Sequence, residues 1–160
     1  MKTGIIRKAR PGDAPVIKAV IDEAAKDSEV LPRSLSEIYD QVRDFWVVEE
    51  GEAETVVGCA ALHVVWQDLA EIKSVAVLDG ARGRGLGEKL VRQCIDEAAS
   101  MDLPTVFVLT AIPDFFERFG FQEVDRATLP HKIWAECIRC AKFPDCCEIA
   151  MTLELKRQPA

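Results

Sequence analysis

Hydrophobic and polar positions along residues 71–90 follow two different periods. The first part of this stretch is an apolar run, rich in β-branched residues, that ends at Asp79-Gly80, as is typical of a buried strand. After a glycine-rich turn, the apolar residues fall on one face of a helix: Leu86, Leu90, Val91 and Ile95. The pattern therefore predicts a strand, a turn and a helix in succession.

The rest of the chain extends this unit on both sides. Strands are predicted at residues 5–10, 45–49, 55–66, 105–110, 121–124 and 148–155. Further helices are predicted after Asp13, from Ser34 to about Val42, and from Asp114 to Phe119. A helix connects the central strand to strand 105–110, so these two should be parallel. We expect one domain over residues 1–160 with an α/β (α+β) fold: a mixed, mostly antiparallel sheet with helices on both faces.

The turn itself, Arg82-Gly83-Arg84-Gly85-Leu86-Gly87, has the chemistry of a phosphate site. The first N–H groups of a helix lack internal partners, and glycines let an anion approach the backbone closely. A Walker P-loop would need a Lys-Ser/Thr pair, and a dinucleotide fingerprint would need Gly-x-Gly-x-x-Gly. What remains is the spacing Arg82-x-x-Gly85-x-Gly87. The alternative is a plain glycine-rich surface turn.

That spacing resembles the pyrophosphate loop of the GCN5-related N-acetyltransferases (GNAT), which bind acetyl-CoA. The resemblance implies acetyl-CoA as the co-substrate and a GNAT fold in which two central parallel strands splay apart. It also implies that the pantetheine arm pairs with the strand backbone around residues 75–77. The cofactor-binding residues expected from it are Val75, Val77, Arg82, Gly83, Arg84, Gly85, Leu86, Gly87 and Glu88.

Composition and charge narrow the range of partners. The chain has 160 residues, 49% of them hydrophobic and 29% charged, which is a globular composition. A net charge of −7 does not favour nucleic acid or anionic lipid. An anionic cofactor must therefore be held by local groups. The glycine-rich turn has a cluster of basic residues against the single acid Glu88, namely Arg82, Arg84, Lys89 and Arg92.

The sequence also indicates where the protein would work. No apolar run is long enough to cross a membrane, and the N-terminal residues lack the apolar core of a signal peptide. The six cysteines are then most simply reduced thiols, so the expected location is the cytoplasm. The oligomeric state is left open, with a homodimer as one option.

Acyl transfer from a thioester to an amine requires a base for the amine and stabilisation of the developing oxyanion. Glu71 is the predicted base. On a regular strand, four residues would share one face beside the pantetheine: Glu71, Lys73, Val75 and Val77. The GNAT resemblance also implies a glutamate at this point, acting directly or through water. The alternative is a solvated strand-end acid that pairs with Lys73.

The usual general acid of the resembling family is a tyrosine within a Phe-Tyr-Glu-x-x-Gly-Phe segment. Phe116 stands in that position here, and the single tyrosine of the chain is Tyr39. Because a phenyl ring has no proton to give, we expect water or the nascent ammonium to protonate the leaving thiolate. Phe115 and Phe119 are expected in the core. His63 is expected to be a packed strand residue rather than a catalytic one.

Four further segments resemble the short, stand-alone N-acetylglutamate synthases, a group of amino-acid N-acetyltransferases. They are residues 31–38, 58–62, 129–132 and 142–146. This resemblance implies transfer of an acetyl group from acetyl-CoA to the α-amino group of L-glutamate, the first step of arginine biosynthesis. Two alternatives stay open: a transferase for another amino acid or a protein N-terminus, and a non-catalytic acyl-CoA-binding regulator.

Glutamate presents two carboxylates, so its pocket needs at least two cations or equivalent donors, and bidentate arginine is the best single choice. Arg33 lies in the loop before the second predicted helix and matches an arginine that contacts glutamate in the resembling enzymes. The same resemblance implies that Lys132 and Lys142 cover this pocket. The alternative for each residue is a solvated surface charge, and it is favoured for the two lysines.

The cysteines raise the question of a metal. Cys137-x-x-Cys140 followed by Cys146-Cys147 resembles a zinc-site spacing. The gap between the two pairs is five residues, and adjacent cysteines rarely serve as two ligands of one tetrahedral ion. We therefore expect no metal. Cys59 and Cys94 are expected in the core.

Overall fold

The structure is a computed structural model that describes residues 4–26, 30–129 and 148–155. The strands are β1 (Ile5–Lys8), β2 (Phe45–Glu50), β3 (Thr55–Trp66), β4 (Leu69–Val77), β5 (Thr105–Thr110), β6 (Gln122–Glu123) and β7 (Ile149–Glu154). The α-helices in this part of the chain are α1 (Ala14–Lys26), α2 (Leu35–Asp40), α3 (Leu86–Ser100) and α4 (Pro113–Glu117). The strand and helix predicted on either side of the glycine-rich turn are therefore β4 and α3.

The strands form one seven-stranded sheet in the order β1-β2-β3-β4-β5-β7-β6. β4 and β5 are parallel, as expected for strands joined through a helix, whereas the other neighbouring pairs are antiparallel. The predicted mixed and mostly antiparallel sheet is confirmed.

Hydrophobic cores lie on both faces of this sheet. One core contains the apolar stripe of α3: Leu86, Leu90, Val91, Cys94, Ile95 and Ala98. The other contains the stripe of α1: Ala14, Ile17, Val20, Ile21 and Ala24. On β3, Ala60 and Leu62 belong to the α3 core, whereas Cys59 and Ala61 belong to the α1 core. Because successive strand residues point to opposite sides, the two cores are on opposite faces, as predicted.

β4 and β5 separate after a short parallel contact. Their register covers three residue pairs, from Leu69 opposite Thr105 to Glu71 opposite Phe107. Beyond Glu71, β4 runs on to Val77 without further partners on β5. Backbone N–H and C=O groups of β4 therefore face a gap. This agrees with the splayed central strands that the GNAT resemblance implied.

A β-bulge interrupts the regular alternation of β4. The register with β3 shifts between Cys59 and Ala61, and on β4 the non-glycine residue Ser74 has a φ of 56°. A bulge sets two residues of one strand against one of its partner. Side chains beyond it therefore point to the opposite face from the one that simple alternation predicts.

The bulge overturns one sequence prediction. Ile72 belongs to the α3 core, and Val75 and Val77, on the far side of the bulge, pack against the same core. Glu71 and Lys73 alternate with Ile72 and so point to the α1 face. The prediction that Glu71 and Lys73 share one face of β4 with Val75 and Val77 is wrong, because the bulge lies between the two pairs. No sequence pattern marked the bulge.

β1 ends at Lys8, two residues earlier than predicted, because Pro11 begins a 3-10 turn that leads into α1. Asp13 accepts hydrogen bonds from the Arg10 backbone N–H at 2.7 Å and from two guanidinium nitrogens of Arg7 at 2.8 Å. The bonds from Arg7 hold the pKa of the Asp13 carboxyl below its ordinary value. Because folding lowers this pKa, the stabilisation is present above the ordinary carboxyl pKa and is lost as pH falls through the lowered one.

Candidate active site

A cleft with a volume of about 870 Å³ opens where β4 and β5 separate. Its walls come from β4 beyond Ala70, the glycine-rich turn, the first turn of α3, the end of β5, α4, and the loop that precedes α2. Concave sites of this size commonly bind small ligands and cofactors. The cleft connects the glycine-rich turn at one end with Glu71 and Arg33 at the other.

The glycine-rich turn presents backbone N–H groups to this cleft. Gly83 and Gly85 have φ values of 82° and 73°, in the left-handed region that favours glycine. Gly85 precedes α3, and its carbonyl accepts the first helical hydrogen bond from the Lys89 N–H at 3.1 Å. The N–H groups of residues 86–88, which lie between Gly85 and Lys89, have no intrahelical acceptor. They form the positive end of the helix dipole. Such a terminus suits an anionic phosphate.

The basic side chains around the turn do not all point into the cleft. Arg82 lines it. Arg84 instead forms an ion pair with Glu50 at the end of β2, which ties the turn to the β2–β3 hairpin. Arg92 lies over the ring of Phe119, 4.9 Å from its centroid. The positive cluster predicted from the sequence is therefore divided. Arg82 stays at the cleft, with its Nε 3.2 Å from the Asp79 carboxylate, whereas Arg84 and Arg92 are held against other parts of the protein.

The structure brings most of the predicted site residues to this one cleft. Those lining it are Arg33, Glu71, Val75, Val77, Arg82, Gly83, Gly85, Leu86, Gly87 and Glu88. Arg84 belongs to the same turn, but its side chain lies against Glu50 rather than along the cleft wall. Lys132 and Lys142 lie outside the described residues.

Glu71 is buried, with 8% of its surface exposed, and it stands at the last residue pair of the β4–β5 contact. Lys73, the next residue on the same face of β4, is also 8% exposed. The alternative of a solvated strand-end acid does not match this burial. A buried carboxylate at the point where the gap begins is well placed to take a proton from an acceptor in the cleft.

Arg33 reaches the cleft from the loop before α2. That helix begins as predicted, since the Ser34 hydroxyl accepts a hydrogen bond from the Glu37 N–H at 3.1 Å. One guanidinium nitrogen of Arg33 lies 3.7 Å from the Glu37 carboxylate. Its Nε is buried and has no hydrogen-bond partner among the described residues. A buried donor without a partner costs about 1–3 kcal/mol, so an anion bound there would stabilise it.

Aromatic residues of α4 form the wall facing the glycine-rich turn. Phe115 and Phe116 both line the cleft, with their rings edge to face at a centroid distance of 5.0 Å. Phe116 is buried, whereas Phe115, expected in the core, is half-buried at the cleft wall. Tyr39, the single tyrosine, is 46% exposed on α2 and does not line the cleft. The cleft therefore has no phenol to act as general acid.

His63 differs from the packed residue that the sequence predicted. Its side chain is 26% exposed, and its Nδ1 lies 2.7 Å from a carboxylate oxygen of Asp44. It is opposite Glu71 in the β3–β4 register but does not line the cleft.

Sequence reasoning placed Lys73 beside Glu71 but gave it no role, and it did not identify Ser74 and Arg126 as cleft residues. Lys73 lies on the same face of β4 as Glu71, as the alternation of a strand predicted. Ser74 lies at a bulge that no sequence signal announced. Arg126 follows β6 in a stretch without hydrophobic periodicity, and its guanidinium donates to the Glu148 carbonyl at 2.6 Å.

Two features are absent from the described part of the chain, namely a cluster of metal ligands and a helix able to span a membrane. No group of three or more His, Cys, Asp or Glu side chains there could hold a metal ion. Cys59 and Cys94 are buried thiols, and burial raises the pKa of Cys59 to about 12. The four cysteines at 137, 140, 146 and 147 fall outside that part. None of its helices is long and apolar enough to span a membrane.

The cleft combines three features: splayed parallel strands, helix N–H groups at a glycine-rich turn, and a buried carboxylate where the strands separate. Together they define the class of acyl-CoA-dependent N-acyltransferases. Residues 41–123 match the family model described as the acetyltransferase (GNAT) domain. The chain is 37% identical over 151 residues to an uncharacterized N-acetyltransferase of Chlorobaculum tepidum, covering 94% of this chain and 96% of that protein. The chain therefore belongs to the GNAT acetyltransferase family and is an acetyl-CoA-dependent enzyme.

Three further comparisons bear on the kind of acetyltransferase. An amino-acid acetyltransferase of Mycobacterium tuberculosis is 38% identical over 136 residues, 84% of this chain and 78% of that protein. A solved Mycobacterium tuberculosis structure in complex with CoA matches with a TM-score of 0.79 and 35% identity, over 95% of this chain and 99% of that chain. The N-acetylglutamate synthase of Neisseria gonorrhoeae, complexed with coenzyme A and N-acetyl-glutamate, matches with a TM-score of 0.87 and 26% identity. That match covers 98% of this chain but 36% of the longer enzyme.

Gly87 offers a test of the cofactor site that leaves the fold intact. A Cβ added there would lie 3.6 Å from the Phe115 ring, an ordinary contact, and alanine favours a helix over glycine by about 0.5–1 kcal/mol. Gly87→Ala should therefore fold normally but weaken acetyl-CoA binding, because the methyl group stands where the pyrophosphate would approach. Gly87→Asp adds a carboxylate and should raise the acetyl-CoA Kd about tenfold or more, which is about 1.4 kcal/mol.

Isothermal titration calorimetry with acetyl-CoA measures both effects. Gly12→Ala is a matched control, since an added Cβ meets nothing within 4 Å and the residue is remote from the cleft. Gly85→Asp should weaken binding in the same way, but its φ of 73° adds backbone strain. Unchanged binding by a folded Gly87→Asp variant would reject the assignment of this turn to the cofactor.

Proposed function

We propose that this enzyme transfers the acetyl group of acetyl-CoA to the α-amino group of L-glutamate and forms N-acetyl-L-glutamate. The observation that carries the proposal is the side chain of Arg33, whose buried Nε has no partner among the described residues and which lines the same cleft as Glu71. A guanidinium is the group that best matches a carboxylate in two-bond geometry. An acidic acceptor gives this donor both a hydrogen-bond acceptor and a compensating charge, whereas a neutral side chain offers the acceptor alone and a basic one offers neither.

The named relatives support an amino acid as acceptor. The Mycobacterium tuberculosis relative is an amino-acid acetyltransferase, and the Neisseria gonorrhoeae structure holds N-acetyl-glutamate together with coenzyme A. With glutamate as acceptor, the reaction would be the first step of arginine biosynthesis. The continuous seven-stranded sheet, from Ile5 to Glu154, further supports one acetyltransferase domain over residues 1–160.

In the proposed reaction Glu71 removes a proton from the acceptor ammonium, directly or through one water. The freed nitrogen lone pair attacks the acyl carbon, the new C–N bond forms and the C–S bond breaks. Backbone N–H groups of β4 that face the gap are available to the developing oxyanion. Bound acetyl-CoA supplies the activated acyl group and the thiolate leaving group. Without a tyrosine in the cleft, water or the nascent ammonium provides the proton that the thiolate takes.

The experiment that tests the proposal is coenzyme A release from acetyl-CoA across a panel of amino acids. L-glutamate should give the highest kcat/KM, with L-glutamine lower because its neutral amide leaves a side-chain cation unpaired. Leucine and lysine serve as neutral and basic comparisons. If the wild-type enzyme shows no preference for glutamate over neutral amino acids, the glutamate assignment is wrong. The generic amino-acid transferase then takes its place.

A further inference from the structure

We propose that Lys73 binds the α-carboxylate of the acceptor amino acid and so selects α-amino acids over other amines. The proposal rests on the proposed function in one respect, namely that the acceptor is an α-amino acid. It does not require that the side chain of the acceptor be that of glutamate.

The position of Lys73 relative to the predicted base is the main argument. Lys73 and Glu71 leave the same face of β4 two residues apart, so their Cα atoms are about 6.6 Å from each other. Both residues are 8% exposed, and both line the cleft. The bulge at Ser74 ends this face, because Val75 and Val77 pack toward α3. A carboxylate and an ammonium therefore lie side by side on the α1 face of β4. They precede the segment of residues 75–77 that is proposed to hold the pantetheine.

The chemistry of an α-amino acid matches that arrangement. A single carbon separates the α-amino nitrogen from the α-carboxylate. When the nitrogen is within reach of Glu71, the α-carboxylate must lie beside it, where Lys73 is the neighbouring cation. Arg33 comes from the loop before α2, on a different wall of the cleft. It suits the second carboxylate of glutamate, which is further from the amine.

Other cations of the described cleft are less suitable for this role. Arg82 belongs to the glycine-rich turn, at the cofactor end. Arg118 is exposed after the end of α4, and Arg126 donates to a backbone carbonyl next to β7. None of the three lies on the strand that carries Glu71.

Lys73→Met tests the proposal, since it keeps an unbranched side chain that is one atom shorter and removes the charge. The acceptors are L-glutamate, L-glutamine and L-isoglutamine, the last of which has an amide in place of the α-carboxylate. Lys73→Met should raise KM about tenfold or more for both glutamate and glutamine, because both have an α-carboxylate. The ratio of kcat/KM between these two should stay as in the wild type. Isoglutamine should be a poor acceptor of the wild type and should lose nothing further in the variant. Lys73→Arg should recover part of the loss.

Thermal denaturation and acetyl-CoA calorimetry check that the variant is folded, with Lys26→Met, an exposed lysine on α1, as control. Equal loss for all three acceptors would make Lys73 structural and overturn the proposal. Loss of discrimination between glutamate and glutamine would assign Lys73 to the side-chain carboxylate, which also overturns it. If the wild type prefers a neutral amino acid, the glutamate proposal is wrong. The role of Lys73 is then tested with that amino acid and its α-amide in place of glutamate and isoglutamine. A wild type that acetylates no amino acid overturns both.

Discussion

Glu71→Gln should lower kcat by ~10²–10⁴-fold, the usual cost of losing a general base. The substitution keeps the size of the side chain and its buried position but removes the group that accepts the proton. The acetyl-CoA Kd should stay nearly unchanged, because the glycine-rich turn and the β4 backbone beyond Glu71 are untouched. Steady-state kinetics with saturating acetyl-CoA, together with calorimetry of acetyl-CoA binding, separates the two quantities.

The control for this substitution is Glu123→Gln, the same chemical change at an exposed position of β6 outside the cleft. It should have wild-type kcat. If a folded Glu71→Gln variant has near-wild-type kcat at neutral pH, Glu71 is not the general base. Its burial would then be structural, and another group in the cleft would have to accept the proton.

Arg33→Ala should lower kcat/KM for L-glutamate. The corresponding loss of transition-state stabilisation should be about 2–4 kcal/mol, the scale for removing one partner of a buried charged pair. The loss should be mainly in KM for glutamate, without weakening acetyl-CoA. It should also abolish most of the preference for glutamate over glutamine, since the substitution leaves a substrate carboxylate unpaired. Arg33→Lys should restore part of the activity, because a point charge cannot reproduce a bidentate contact.

Arg43→Ala, at an exposed position in the turn before β2, is the matched control and should leave both kcat and KM unchanged. The decisive comparison is between amines. If Arg33→Ala lowers activity equally for every amine tested, the residue supports the loop ahead of Ser34 rather than the substrate. The glutamate pocket would then have to be sought at Lys132 and Lys142.

Local patterns in the sequence were sufficient for much of the fold. β3 and β5 have the predicted bounds, and the helix after the glycine-rich turn begins at Leu86 as its apolar face indicated. These elements follow from short-range rules: alternation in a strand, a 3.6-residue period in a helix and glycine where the backbone needs positive φ. The same rules placed the turn at a helix N-terminus, so its affinity for an anion follows from the order of residues along the chain.

The orientation of individual side chains was decided only by the tertiary structure. The bulge at Ser74 separates Glu71 and Lys73 from Val75 and Val77, and it depends on how β4 pairs with β3 rather than on local sequence. The guanidinium of Arg84 could bind a phosphate by its charge and its N–H donors. In the structure it pairs with Glu50, 34 residues earlier in the chain. Periodicity describes neighbours along the chain, whereas register and long-range ion pairs depend on residues that meet only after folding. Local rules along the chain therefore account for the elements and the glycine-rich turn, whereas contacts formed on folding set which charged groups face the cleft.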